Sequence, residues 1–324
     1  MRCIFMGTPD FAVSILSCLE KEGHEIYLVV TQPDKPKGRK GELTPPPVKV
    51  WAEERNLPIY QPENIRDPEA ISMIRDFPID IGIVAAYGQI IPEEILNVPK
   101  FGYINVHASL LPKYRGAAPI QWSILNGDKK TGITIMQMTK RLDDGDIIMQ
   151  EELDIEPDET GGSLFDKLAT YGGNMACMAM LAIENGLVEK VPQDDAKATY
   201  VSTIKKDFGA IDFTSDAEYI ERMIRALNPW PSAFTYYKGS MLKIWRAQVV
   251  TDEEIIEAGD LLGGAKSMEA MPGTVIHTDD YGILVRAGYG NLAITELQIA
   301  GKRRMSAKDF LNGNPIEIGT MLGV

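Results

Sequence analysis

An amide and an imidazole stand two residues apart near the middle of the chain, in Gly102-Tyr103-Ile104-Asn105-Val106-His107-Ala108-Ser109-Leu110-Leu111-Pro112. A strand sends alternate side chains to one face, so Asn105 and His107 share a side. An imidazole can take or give a proton near neutral pH. A side-chain amide can donate a hydrogen bond to an oxygen that is gaining negative charge. Downstream, Leu142-Asp143-Asp144-Gly145-Asp146 reads as a tight acidic turn after the strand-like run Ile133 to Met138. A carboxylate from that turn could reach the imidazole and orient it. Amide, imidazole and carboxylate suit acyl transfer to an amine by direct attack. A covalent intermediate is not expected, because no thiol or hydroxyl is obviously paired with His107, although Ser109 is close in sequence. Each group also has an ordinary structural use: a satisfied strand-end histidine, an asparagine at a cap or bulge, a solvated Asp-Gly turn.

Other chemistries find no support. The turn Gly7-Thr8-Pro9-Asp10 lacks the GxGxxG pattern, and Pro9 removes a backbone N–H that could cradle a phosphate, so no nicotinamide cofactor is expected. GxxxxGK[ST], HExxH and GxSxG are absent. With only His24, His107 and His277, and with Cys3, Cys18 and Cys177 far apart, neither a metal site nor a disulfide framework is expected. Free thiols fit a reducing compartment, and a cytoplasmic location is expected. The opening MRCIFMGTPDF does not read as a secretory signal, and no run of 18 uncharged apolar residues predicts a membrane span.

The elements that must hold the trio follow from the apolar pattern. A chain of 324 residues predicts two domains. Up to about residue 189, short apolar runs (Cys3–Met6, Ile26–Thr31, Ile79–Ala85, Tyr103–Val106) alternate with helical spacing, which predicts an open, mostly parallel Rossmann-like α/β sheet. Sites in such sheets lie beyond the carboxyl ends of the strands. A long amphipathic helix, Gly161 to Val188, closes this domain. Polar residues 190–206 read as a linker. From 207 to 324 a helix (Ala217–Leu227) and five short strands (233–237, 242–250, 273–277, 283–287, 292–300) predict a small OB-like β-barrel.

The formal charge of −13, from 33 basic and 46 acidic residues, argues against nucleic-acid binding by bulk charge. A local patch is present in the Pro-rich stretch Pro33 to Pro47, read as a loop. Between residues 33 and 49, Lys35, Lys37, Arg39, Lys40 and Lys49 stand against Asp34 and Glu42, a net of +3 suited to phosphates. Lys205-Lys206 and the set Lys302, Arg303, Arg304 and Lys308 are further basic candidates.

Longer motifs surround these residues: FMGTPDFAV, TQPDKPKGR with TPPPVK, AAYGQIIP, NVHASLLPKYRGAAPIQW, GITIMQMTKRLDDGDI and IRALNPWPSAFT. Together they cover essentially the whole chain, which resembles the folate-dependent formyltransferases, specifically the branch acting on an aminoacylated tRNA. The resemblance implies transfer of a formyl group from 10-formyltetrahydrofolate to the α-amino group of initiator methionyl-tRNA. It implies a catalytic trio of Asn105 (oxyanion), His107 (proton transfer and charge) and Asp143 (orientation and proton removal). It implies folate contacts from Ser109, Leu110, Leu111 and Pro112, and from a pterin-pocket wall at Ala86, Tyr87, Gly88, Gln89 and Ile90. Arg39 would be the key arginine of an insertion entering the acceptor stem, with Lys35, Lys37, Lys40 and Lys206 as further tRNA contacts. A monomer is expected, with no metal and no membrane partner. A formyltransferase for a small amine shares the N-x-H and L-D-x-G motifs and stays open, as does an RNA-binding protein with an inactive α/β domain.

Overall fold

The apolar runs condense into a seven-stranded sheet in the computed structural model, which describes residues 1–37, 41–258 and 269–323. In chain order the strands are β1 (Arg2–Gly7), β2 (Glu25–Val30), β3 (Ile59–Tyr60), β4 (Ile81–Ala85), β5 (Tyr103–His107), β6 (Lys130–Gln137) and β7 (Ile147–Asp154). Across the sheet they run β7-β6-β5-β4-β1-β2-β3. The pairs from β3 to β5 are parallel. β6 is antiparallel to β5, and β7 to β6. Every residue of β4 and β5 is buried, which explains their unbroken apolar runs. From β1 the chain turns outward to β2 and β3, then returns on the other side through β4 and β5. The strand order therefore reverses between β1 and β4, and the crevice at such a reversal is where open α/β sheets bind ligands. Gly7 ends β1 there. A Cβ on it would lie 2.5 Å from the Ala12 Cβ and 2.9 Å from the Ala85 carbonyl oxygen, so the turn into helix α1 (Asp10–Lys21) needs glycine.

At the opposite end of the sheet Arg2 and Asp80 tie β1 to the start of β4. Asp80 accepts from the Arg2 guanidinium at 2.7 and 3.1 Å and from its backbone N–H at 2.9 Å. The guanidinium bonds first, then the backbone N–H, hold the Asp80 carboxyl down to about 2. A depressed folded-state pKa stabilises above the unfolded value and loses that contribution as pH falls, here between about pH 4 and about pH 2. Asp80→Asn is expected to lower the thermal midpoint at pH 7 and to match the parent near pH 2; an equal deficit at both pH values would contradict the linkage.

Two compact units divide the chain. Met1–Pro119, Lys130–Asp154 and Phe165–Ser202 form the first, and Ile120–Lys129, Ile155–Leu164 and Thr203–Val324 the second. A long helix, α2 (Gly161–Glu184), stands close to the expected span. In the second unit, α3 (Ala217–Ala226) buries Ala217, Ile220, Met223 and Ile224 at helical spacing. The strands β8 (Ala233–Tyr237), β9 (Ser240–Val250), β10 (Val275–Thr278), β11 (Ile283–Arg286) and β12 (Asn291–Ile299) pair in the order β8-β9-β12-β11-β10, all antiparallel. Register shifts around Arg246 bend β9, as a barrel-like sheet requires. Leu242, Ile244, Leu292, Ile294, Leu297 and Phe310 fill its core.

Of the segments that differ from the sequence expectation, three lie near the expected site or basic patch. β7 has no counterpart among the expected strands, because as a sheet edge it is half exposed and its Gln150-Glu151-Glu152 centre is polar. The stretch read as a loop from Pro33 to Pro47 contains a short hairpin, Lys35–Lys37 against Glu42–Thr44. The polar stretch 190–206 begins by running along the first unit, with Val191 bridged to Ile147 and Tyr200–Val201 paired with Arg115–Gly116.

Candidate active site

Strand β5 delivers Asn105 and His107 to one place, opposite Met136 and Thr134 of β6. Both are nearly closed to solvent, at 8% and 6% exposure. His107 Nε2 lies 2.9 Å from the carbonyl oxygen of Tyr114. A carbonyl only accepts, so Nε2 carries the proton of the neutral ring and Nδ1 is its basic position. Nδ1 faces Asp143 Oδ2 at 3.7 Å, longer than a hydrogen bond and short enough to become one when Nδ1 is protonated. The same Oδ2 accepts from the Gly116 backbone N–H at 2.8 Å, and Oδ1 from Asn105 Nδ2 at 3.4 Å. One carboxylate therefore meets the imidazole, the amide and a backbone donor. Of the aspartates in the acidic turn it is Asp143 that does so. Asp144 turns instead to Thr139 and Arg141.

The chain makes this meeting possible with unusual backbone. Asp143 has φ +48, a left-handed conformation that aspartate tolerates better than most residues. Gln193 holds the turn, donating to the carbonyls of Asp143 at 2.9 Å and Gly145 at 2.8 Å.

The segment Ser109 to Pro112 is latched to the antiparallel edge. Ser109 is fully buried and donates to the Lys113 carbonyl at 2.7 Å. Thr134 donates to the Ser109 carbonyl at 2.6 Å and accepts from the Leu111 N–H at 3.1 Å. Gln150, from β7, donates to the Leu111 carbonyl at 2.9 Å. Leu110 is half-buried and Leu111 buried, and the Leu111–Pro112 peptide is cis.

At the end of β4 the wall from Ala86 to Ile90 divides its duties. Tyr87 is buried in the core cluster that also holds Ile4, Met6 and Val84. Its carbonyl accepts from Thr8 Oγ1 at 3.0 Å, and burial pushes its phenol far up. Gln89 accepts from the Ile65 N–H at 2.8 Å and donates to the Glu63 carbonyl at 3.2 Å. Ala86 and Gly88, both at positive φ, and Ile90 are the exposed members. This edge thus offers backbone and one aliphatic side chain. Among the described residues no group of three or more His, Cys, Asp or Glu is placed to hold a metal ion.

Comparison with known proteins bears on what such a site serves. A family model for formyl transferase matches residues 1–180, and one for the formyl transferase C-terminal domain matches residues 203–315. The methionyl-tRNA formyltransferase of Lachnospira eligens is 45% identical, over 100% of this chain and 100% of its own. That of Bacillus velezensis is also 45% identical, over 99% and 98%. The chain belongs to the methionyl-tRNA formyltransferase family. Solved structures share its fold at lower identity. An N-formyltransferase of Helicobacter canadensis, in complex with folinic acid and dTDP-3-aminofucose, gives a TM-score of 0.63 at 18% identity, covering 90% of this chain and 98% of its own. HypX of Aquifex aeolicus, in complex with tetrahydrofolic acid, gives 0.62 at 15%, covering 100% and 51%.

In this member of the methionyl-tRNA formyltransferase family the basic residues lie as follows. Lys35 is exposed on the hairpin, and Lys37 stands opposite Glu42 in its register. Arg39 and Lys40 fall outside the described residues. Lys49 is committed to Asp34, at 2.8 and 2.9 Å. Lys206 is exposed on the short turn Lys206–Gly209 of the second unit. Within the C-terminal set, Arg304 pairs with Glu296, and Lys308 with Asp280 at 2.7 Å. Sequence reasoning missed the Tyr114 carbonyl, the Gly116 N–H, Thr134, Gln150 and Gln193. The first two are backbone groups with no side-chain signal, and the other three are ordinary polar residues until folding assembles them.

Proposed function

We propose that the protein transfers the formyl group of 10-formyltetrahydrofolate to the α-amino group of initiator methionyl-tRNA. The observation that carries this reading is the single carboxylate of Asp143 meeting both His107 and Asn105 at the strand ends, in a chain of this family over its full length. The amine attacks the formyl carbon, a new C–N bond forms, and the bond to the folate N10 breaks. Asn105 donates to the formyl oxygen as it gains charge. His107, anchored through Nε2, accepts a proton at Nδ1 beside Asp143. The proton leaving the amine passes to this pair and is returned to the departing N10, so that charge balances.

Ser109 to Pro112 and the backbone of 86–90 bind the folate. Lys35 and Lys37 of the hairpin, with Arg39 and Lys40 from the same stretch of sequence, bind the acceptor stem, and Lys206 adds a contact from the second unit. Formyl transfer belongs to residues 1–189, and 207–324 forms a further tRNA-docking domain. The protein works as a cytoplasmic monomer. Among the described residues no helix is long and apolar enough to cross a membrane.

Incubation with 10-formyltetrahydrofolate and methionyl-tRNA is expected to yield N-formylmethionyl-tRNA. Formylation of a small amine alone would replace this reading with the small-amine one. Removing residues 35–44 is expected to abolish most activity on charged tRNA while folate affinity, read by equilibrium titration, stays unchanged. Equal turnover with and without the hairpin would remove it from the RNA site. Binding of charged tRNA is also expected to weaken with salt, with a shallow slope because few phosphates are contacted.

A further inference from the structure

We propose that Gln193, locked by Arg115, is a positioning residue that sets the Asp143 carboxylate for formyl transfer; the proposal rests on the function given above. The guanidinium of Arg115 is 2% exposed. It donates to Gln193 Oε1 from Nε at 3.1 Å and from Nη2 at 2.9 Å, to Asp195 at 2.7 Å and to the Tyr200 hydroxyl at 3.1 Å. A guanidinium can only donate, so the Gln193 oxygen must face it. The amide nitrogen is thereby forced to the other side, where the Asp143 and Gly145 carbonyls, which can only accept, lie at 2.9 and 2.8 Å. The orientation of this amide is thus chemically determined at both ends, and no flipped form satisfies the same partners.

Its targets bracket the turn whose residue 143 has φ +48. The backbone beside Arg115 acts on the same carboxylate, for the Gly116 N–H donates to Asp143 Oδ2 at 2.8 Å. Arg115 itself is held by its N–H on the Thr199 carbonyl at 2.8 Å, inside the pairing of 115–116 with 200–201. Residues 191–201 therefore form a strap fastened to Ile147, to the turn that carries Asp143 and to residues 115–116. Three fixings secure it: the bridge to Ile147, the Gln193 amide, and the 199–201 pairing. Gln193 reaches Asp143 only through its backbone carbonyl, so its role is to fix where the carboxylate sits and not to meet a substrate.

Gln193→Glu separates the two halves of this amide. The new carboxylate still accepts from Arg115 but has nothing to donate to the two carbonyls. Steady-state kinetics are expected to show kcat down about thirtyfold, as for a group displaced by a fraction of an ångström. KM for folate and for charged tRNA should stay within about twofold of the parent. Combined with Asp143→Asn, the change should add less than about twofold, because its effect runs through Asp143. A rise in KM with kcat preserved, or effects that multiply independently in the double variant, would overturn the proposal. Gln193→Met removes both the donors and the Arg115 acceptor without adding charge, and the same cycle is read on it where the Glu variant folds poorly. If the unmutated protein formylates a small amine and not methionyl-tRNA, the substrate reading falls, and the cycle is then read on that amine.

Discussion

Replacing His107 with alanine is expected to lower kcat by about 10²- to 10⁴-fold, the usual contribution of a positioned proton-transfer group. The ring is the one group at the site with both a basic nitrogen and a route to a carboxylate. Nε2 is committed to the Tyr114 carbonyl at 2.9 Å, which leaves Nδ1, 3.7 Å from Asp143, as the working atom. Alanine removes both and leaves Asp143 with its bonds from Gly116 and Asn105. The affinity for charged tRNA, measured by filter binding, should be retained, since the RNA contacts lie elsewhere. Retained affinity with lost turnover separates an enzyme from an RNA-binding protein whose α/β unit is inert. A His107→Ala variant within tenfold of the parent would remove the imidazole from the reaction.

The second large effect is expected at Asn105. Loss of one oxyanion donor costs about 10²–10³ in kcat, or roughly 3–4 kcal/mol. Asn105→Ala should fall in that range. Asn105→Asp is the sharper test, because it keeps the volume, removes the donor and sets a second carboxylate where the amide nitrogen now lies, 3.4 Å from Asp143 Oδ1. It should be at least as inactive as the alanine variant, with the repulsion relieved when Asp143→Asn is added. If Asn105→Asp turns over faster than Asn105→Ala, the amide does not act as a donor to the formyl oxygen.

Much of this site is visible in the sequence because its geometry follows simple periods. Asn105 and His107 lie two apart, and a strand's alternation alone puts them on one side. The buried parallel strands announce themselves as unbroken apolar runs, and the five strands of the second unit as runs between turn residues. What stayed hidden did so for physical reasons. β7, Ile147–Asp154, is an edge whose Gln-Glu-Glu centre is exposed and breaks its apolar alternation, yet it supplies Gln150 to the Ser109–Pro112 segment. The hairpin 35–37 with 42–44 carries a proline and charges that read as loop. Its pairing is local and needs no apolar face. The Tyr114 carbonyl and the Gly116 N–H act as backbone, and no residue type marks them.

The strap at 191–201 bears on how the molecule can be cut. Its polar composition makes residue 189 or 190 the natural place to end a recombinant catalytic fragment. A fragment so trimmed would begin its missing part at the Ile147 bridge and would leave Arg115 without Gln193, Asp195 and Tyr200. The carbonyls of Asp143 and Gly145 would lose their donor in the same stroke. A piece that keeps these hydrogen bonds runs at least to Val201, the last residue paired with 115–116, one residue short of where the first compact unit ends.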